Sequence, residues 1–121
     1  MIHVYNRKVE SHTGPNNYPI FRGGSILGNP YTHIKDKTTL ASYVVRTRDE
    51  AIELYDHYFD VMYSGNIEYK KLIDEIYEKY KNGIDVYLEC YCAPLRCHGD
   101  IIKEKLQKRL IKERIKMYKQ V

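Results

Sequence analysis

Apolar residues alternate along Ile2-His-Val-Tyr-Asn6, the two-residue period of a short strand with one buried face. Residues Glu10 to Tyr31 lose any period and are rich in Gly, Pro, Asn and Ser, which predicts a long loop. A loop of that length in a small chain is usually functional or disordered. Thr38 to Arg46, "TTLASYVVR", is β-branched and aromatic enough for a second strand. The period then changes. Thr47-Arg-Asp-Glu50 is a capping box, and Ile52, Tyr55, Phe59 and Met62 recur behind it at helical spacing. Ser64-Gly65-Asn66 interrupts the stripe. A second helix follows with Tyr69, Leu72, Ile73, Ile76 and Tyr80 on one face, ended by Asn82-Gly83. Ile84 to Cys92 alternates again, with Ile84, Val86, Leu88 and Cys90 on the core side, until Pro94 stops it. Asp100 is placed to cap a last helix over about residues 100–119, whose apolar line is Ile102, Leu106 and Leu110, extended by Ile111 and Ile115.

Strand, loop, strand, two helices, strand, helix is the order of an α/β layered domain. The expected architecture is one compact Rossmann-like domain over residues 1–121, with a small, mostly parallel sheet and a long basic C-terminal helix. The last strand is expected at its centre. A chain of 121 residues fits one domain, and 43% hydrophobic residues suffice for a core without disulfides. No apolar run approaches a membrane span, and the N-terminus lacks the apolar stretch of a signal peptide. The cytoplasm is therefore the expected compartment, in a bacterium or a phage-infected host cell. In that reducing setting three cysteines read as thiols or metal ligands.

Charge is unevenly spread. From Lys103 onward there are eight Lys or Arg and two Glu, a net +6, whereas the rest of the chain carries −2. Such a helix suits a nucleic-acid or protein partner, or is simply a solvated face. The thirteen tyrosines need not mean base stacking, because Tyr packs like Phe with its hydroxyl at the surface.

All three cysteines fall in Glu89 to Asp100, "ECYCAPLRCHGD". The predicted strand and helix place them at the carboxyl end of one and the amino end of the other, where open α/β sheets bind ligands and free amides favour anions. Three uses compete. Cys90, Cys92, Cys97 and His98 would supply four ligands for tetrahedral zinc, although the one-residue gap and the adjacent Cys-His are poor spacing for a knuckle. Cys97, near a helix start and beside Arg96 and His98, is the candidate nucleophile, with His98 able to move a proton. Alternatively the cysteines are small core residues and His98 a helix-start hydrogen bonder. Glu89 is a possible base at the strand end, or a solvent-facing strand residue. No cofactor is otherwise indicated.

The second informative stretch is Arg22 to Tyr31, "RGGSILGNPY". Gly23, Gly24 and Gly28 permit unusual backbone angles and close approach of main chain to a ligand, or a tight turn. Ser25 and Asn29 offer short polar contacts, and Arg22 suits a phosphate or carboxylate. His33, Lys35 and Lys37 make the region basic. Neither a Walker loop nor a dinucleotide fingerprint is present.

Together, "RGGSILGNPY", "TRDEAIELYDHYF" and "CYCAPLRCHGDII" resemble the small phage and bacterial proteins of domain-of-unknown-function family 4326, in order and from about Val4 to Ile102. Gly24 is an insertion relative to that pattern, Tyr91 stands where the family often has Trp, and the last helix is longer. The resemblance implies a compact α/β fold and a pocket shared by the blocks, without supplying an activity. The expected ligand is a nucleotide, nucleoside or similar anionic metabolite, held by Arg22, Gly23, Gly24, Ser25, Gly28 and Asn29 on one wall. Cys92, Arg96 and Asp100 form the other, with Cys97 and His98 as catalytic candidates. By analogy with phage proteins, nucleotide or nucleic-acid metabolism is the expected setting.

Overall fold

In the computed structural model, which describes residues 1–32 and 43–119, three strands make one sheet and two more make a small ribbon. The strands are β1 (Ile2–Asn6), β2 (Asn17–Pro19), β3 (Tyr31–Thr32), β4 (Tyr43–Val44) and β5 (Val86–Cys90). The helices are α1 (Arg48–Gly65), α2 (Ile67–Lys81) and α3 (His98–Lys119). The sheet order is β1-β5-β2, and both pairings are parallel. The chain is therefore α/β, with β5 at the centre of the sheet as expected. Val86, Leu88 and Cys90 are at most 1% exposed and join one core with residues of all three helices. Ile84, expected on that face, precedes the strand and is 41% exposed.

β2 lies inside the segment expected to be loop. Three residues are too few to show a period, yet Tyr18 is buried opposite Leu88, and the Ile20 amide donates to the Glu89 carbonyl at 2.9 Å. Pro19 is tolerated because β2 is an edge strand. Of the strand expected over Thr38 to Arg46, the described part forms β4, which pairs with β3; residues 38–42 lie outside the described residues.

The helix ends follow from local chemistry. Thr47 Oγ1 accepts the Glu50 amide at 3.1 Å, as the capping box predicted. Asn66 serves two helices: its amide closes α1 on the Met62 carbonyl, and its side chain caps α2 by accepting the Tyr69 amide at 3.0 Å. Gly83, at φ +80°, ends α2 with Ile84 N–H on Lys79 and Gly83 N–H on Tyr80, the paired bonds of a Schellman motif. Asp74 then ties the helices together. Its carboxylate accepts from Tyr63 of α1, Lys70 of α2 and Arg109 of α3 at 2.6–3.0 Å. Burial opposes its charge, but these donors outweigh that and hold its pKa down to about 2.

Tyrosine is used differently from the sequence expectation. Tyr55, Tyr69 and Tyr77 are fully buried, hydroxyls included. The Tyr69 hydroxyl donates to that of Tyr55, which donates to the Leu27 carbonyl, both at 2.8 Å. This relay fastens the glycine loop to α1 and α2. On α3, Ile102, Leu106 and Leu110 are buried as expected, whereas Ile111 and Ile115 are 56% and 48% exposed. Glu113, two residues past Ile111, still pairs with Lys81 of α2, so Ile111 is exposed because it faces away from the body.

Candidate functional site

The sheet brings the two distant segments together. Beyond the carboxyl end of β5 lies a cavity of about 420 Å³, in the size range of small-molecule sites. Phe21, Arg22, Asn29, Tyr31 and Thr32 form its glycine-loop wall; Arg48, Ala51 and Ile52 come from the first turn of α1. Opposite stand Cys90, Tyr91, Cys92, Arg96, Cys97 and His98. A crevice at the carboxyl ends of parallel strands is where such sheets accept ligands.

Within the loop, the glycines serve the turn itself. Gly23 has φ +84°, a Cβ on Gly24 would sit 2.8 Å from the Phe21 ring, and one on Gly28 would sit 3.1 Å from Arg22 Cα. Ser25 Oγ donates to the Pro19 carbonyl and accepts the Leu27 amide, which closes the same turn. None of Gly23, Gly24, Ser25 and Gly28 lines the cavity. Asn29 does, but its amide is committed: Nδ2 donates to the Ala51 carbonyl at 3.1 Å and Oδ1 accepts the Tyr31 amide at 2.9 Å. It is a strut between loop and helix.

Arg22 is different. One terminal nitrogen donates to the carbonyls of Asn29 and Tyr31, at 3.3 and 3.1 Å, which aims the guanidinium along the cavity wall. The side chain is half-buried, and burial lowers its pKa. No carboxylate partners it among the described residues. Arg48, also half-buried, has none either. Arg96 approaches Asp49 at 3.9 Å with both side chains well exposed, a pairing of little energetic weight. The described cavity lining thus holds three guanidinium groups and no Asp or Glu. His33, Lys35 and Lys37 lie outside the described residues.

On the facing wall, Asn6 at the end of β1 donates to the carbonyls of Tyr91 and Ala93, both at 3.1 Å, and so fixes the turn after β5. Asp100 sits three residues into the helix start rather than at the cap position. Its Oδ2 accepts the Cys97 amide at 2.9 Å, satisfying a donor that α3 leaves unpaired, and it does not line the cavity. Gly99 has a packing reason: a Cβ there would lie 2.8 Å from Ile20 and 2.9 Å from Val4. The helix start can therefore press against the sheet.

His98 lines the cavity but is 8% exposed, and its Nε2 donates to the Ile20 carbonyl at 2.6 Å. Burial, helped by the charge of Arg22, pushes its pKa down to about 4 despite that carbonyl, so the ring is neutral near neutral pH. Cys90 and Cys97 are buried together, with Cys92 half-buried beside them. The Cys97 thiol donates to the Cys90 sulfur, which lowers the pKa of Cys90 and raises that of Cys97. The Ala93 amide also donates to Cys90 Sγ, at 3.4 Å. Cys97 was the thiol expected to ionise; the donors converge on Cys90 instead. Cys90, Cys92, Cys97 and His98 do not form a ligand set. Among the described residues, no group of three or more His, Cys, Asp or Glu is disposed to hold a metal.

Sequence reasoning missed Phe21, Tyr31, Arg48 and Tyr91 as lining residues. Arg48 was findable, since the capping box fixes α1 to begin there; the aromatic residues flank the two motifs without a spacing signal. No described helix is long and apolar enough to cross a membrane. Residues 4–108 match the family described as Domain of unknown function (DUF4326). No curated protein and no solved structure shows significant similarity to the chain.

Proposed function

The chain belongs to the DUF4326 family, and within that family we propose that it binds a small anionic metabolite, of the nucleotide or nucleoside-phosphate class, in the cavity beyond β5. One observation carries this reading: a half-buried Arg22 guanidinium, without a carboxylate partner among the described residues, in a wall that also presents Arg48 and Arg96. A half-buried cation that no described side chain neutralises favours an anionic ligand. Phe21, Tyr31 and Tyr91 add aromatic surface to the same lining, which suits a base. Arg22 and Arg48 would fix the anion, and Arg96, exposed at the rim, would steer it inward. Asn29 positions Arg22 by fixing the loop that carries it. Nucleotide or nucleic-acid metabolism is the setting in which such a ligand would be met.

Thermal-shift screening against nucleoside monophosphates and sugar phosphates tests the reading. A ligand at a hundredfold excess over its Kd stabilises by about 2.7 kcal/mol, and Arg22→Gln should remove that gain. No stabilisation by any of them at millimolar concentration overturns it.

A second reading concerns α3. Lys105 is taken up by Asp56 and Asp60, and Arg109 by Asp74 and Glu113. Lys108, Lys112, Lys116 and Lys119 are not so paired with α1 or α2, and the last turns of the helix are exposed. That surface suits a phosphate backbone. Replacing Lys112, Lys116 and Lys119 by Glu should abolish a salt-sensitive association with DNA or RNA. Absence of binding by the unaltered chain at low salt removes this reading.

A further inference from the structure

We propose that Cys90 and Cys97 are a redox-active thiol pair in the cavity wall, which a hydroperoxide converts to an intramolecular disulfide. The inference does not depend on any bound metabolite. It starts from topology: β5 ends on Cys90 and α3 begins just after Cys97, so the turn between them returns the chain to the same wall. Both residues are buried in one cluster, at 1% and 2% exposure, and both face the cavity. A small oxidant can therefore reach them only through that opening. Two donors, the Cys97 thiol and the Ala93 amide at 3.4 Å, converge on the Cys90 sulfur. This arrangement favours the thiolate, the form that attacks peroxides.

The chemistry closes without further reagents. The Cys90 sulfur attacks the terminal oxygen of the hydroperoxide; an S–O bond forms, the O–O bond breaks, and the leaving alkoxide or hydroxide takes up a proton. The Cys97 sulfur then attacks the oxidised Cys90 sulfur. The S–S bond forms, the S–O bond breaks, and the departing hydroxide leaves as water with the Cys97 proton. Two thiols are oxidised by two electrons and one hydroperoxide is reduced to an alcohol or water. Burial of both sulfurs protects the reduced pair from larger disulfides, so small peroxides are the oxidants this site admits.

The test uses the intact chain, folded, with equimolar hydrogen peroxide followed by mass mapping. The expected product has lost two hydrogens, carries a Cys90–Cys97 link, and reverts with a dithiol. Cys92→Ser should leave this unchanged. In Cys97→Ser the reaction should stall with a sulfenic acid on Cys90, trapped by dimedone. A link through Cys92, a dimedone adduct on Cys92 rather than Cys90, or three unmodified thiols in the folded wild type would overturn the assignment. The wild-type map decides even if a variant folds poorly.

Discussion

Lowering the pH from neutral should destabilise this protein through His98 before most of its carboxylates titrate. The perturbation is protonation of a ring that is 8% exposed and bonded through Nε2 to the Ile20 carbonyl. Its pKa lies at about 4 in the folded chain against 6.5 for the free side chain, burial being the main cause. Between those values the unfolded chain binds a proton that the folded chain refuses. Stability therefore falls as pH drops from 6.5 and the loss is complete below about 4. The full gap is worth about 3 kcal/mol, of which about 2 kcal/mol should be lost between near-neutral pH and about pH 5. That is a large share of the stability of a small domain. Urea melts of the wild type and of His98→Gln, whose amide can still reach the Ile20 carbonyl without titrating, isolate the effect. The wild-type minus variant difference should decline by that amount across the window. A flat difference, or an NMR titration of His98 with a midpoint near 6.5, would refute the reasoning.

Two further perturbations probe how the site is held together. Tyr55→Phe deletes the hydroxyl linking Tyr69 to the Leu27 carbonyl; stranding that buried acceptor should cost about 1–3 kcal/mol in chemical denaturation. Gly99→Ala places a Cβ 2.8 Å from Ile20 and 2.9 Å from Val4 and should cost about 1–3 kcal/mol. Gly65→Ala, where a Cβ meets nothing within 4 Å, should be neutral or stabilising in the same melts.

Where the chain announces an element locally, the sequence was legible. Thr47 and Glu50 marked the start of α1, Gly83 marked the end of α2, and the alternation of Val86, Leu88 and Cys90 identified β5 as a strand with one face in the core. The Cys-His turn was legible as the junction of a strand and a helix, whereas its meeting with the glycine loop was expected only from the family resemblance, which implies a pocket shared by the two blocks. What stayed hidden depends on neighbours. β2 exists because β5 offers it a partner, not because Asn17-Tyr18-Pro19 alternates. Ile111 and Ile115 extend a helical stripe, but periodicity cannot tell how wide a face of the helix its neighbours cover. The role of Asp100 turned on a shift of a few residues in the helix start. Likewise, nothing in the spacing of three cysteines says which sulfur receives the hydrogen bonds. The glycines of the loop were legible as backbone devices, but only packing against Phe21 and the Arg22 main chain distinguishes turn closure from ligand approach.

The account rests on Arg22 as the anion anchor of the cavity, and isothermal titration of a nucleoside monophosphate into the wild type and Arg22→Gln tests that most directly. Saturable binding at one site, weakened about tenfold or more by the substitution, equivalent to about 1.4 kcal/mol, is the predicted result. Equal affinity in the two proteins, or no binding by the wild type at millimolar ligand, would contradict it.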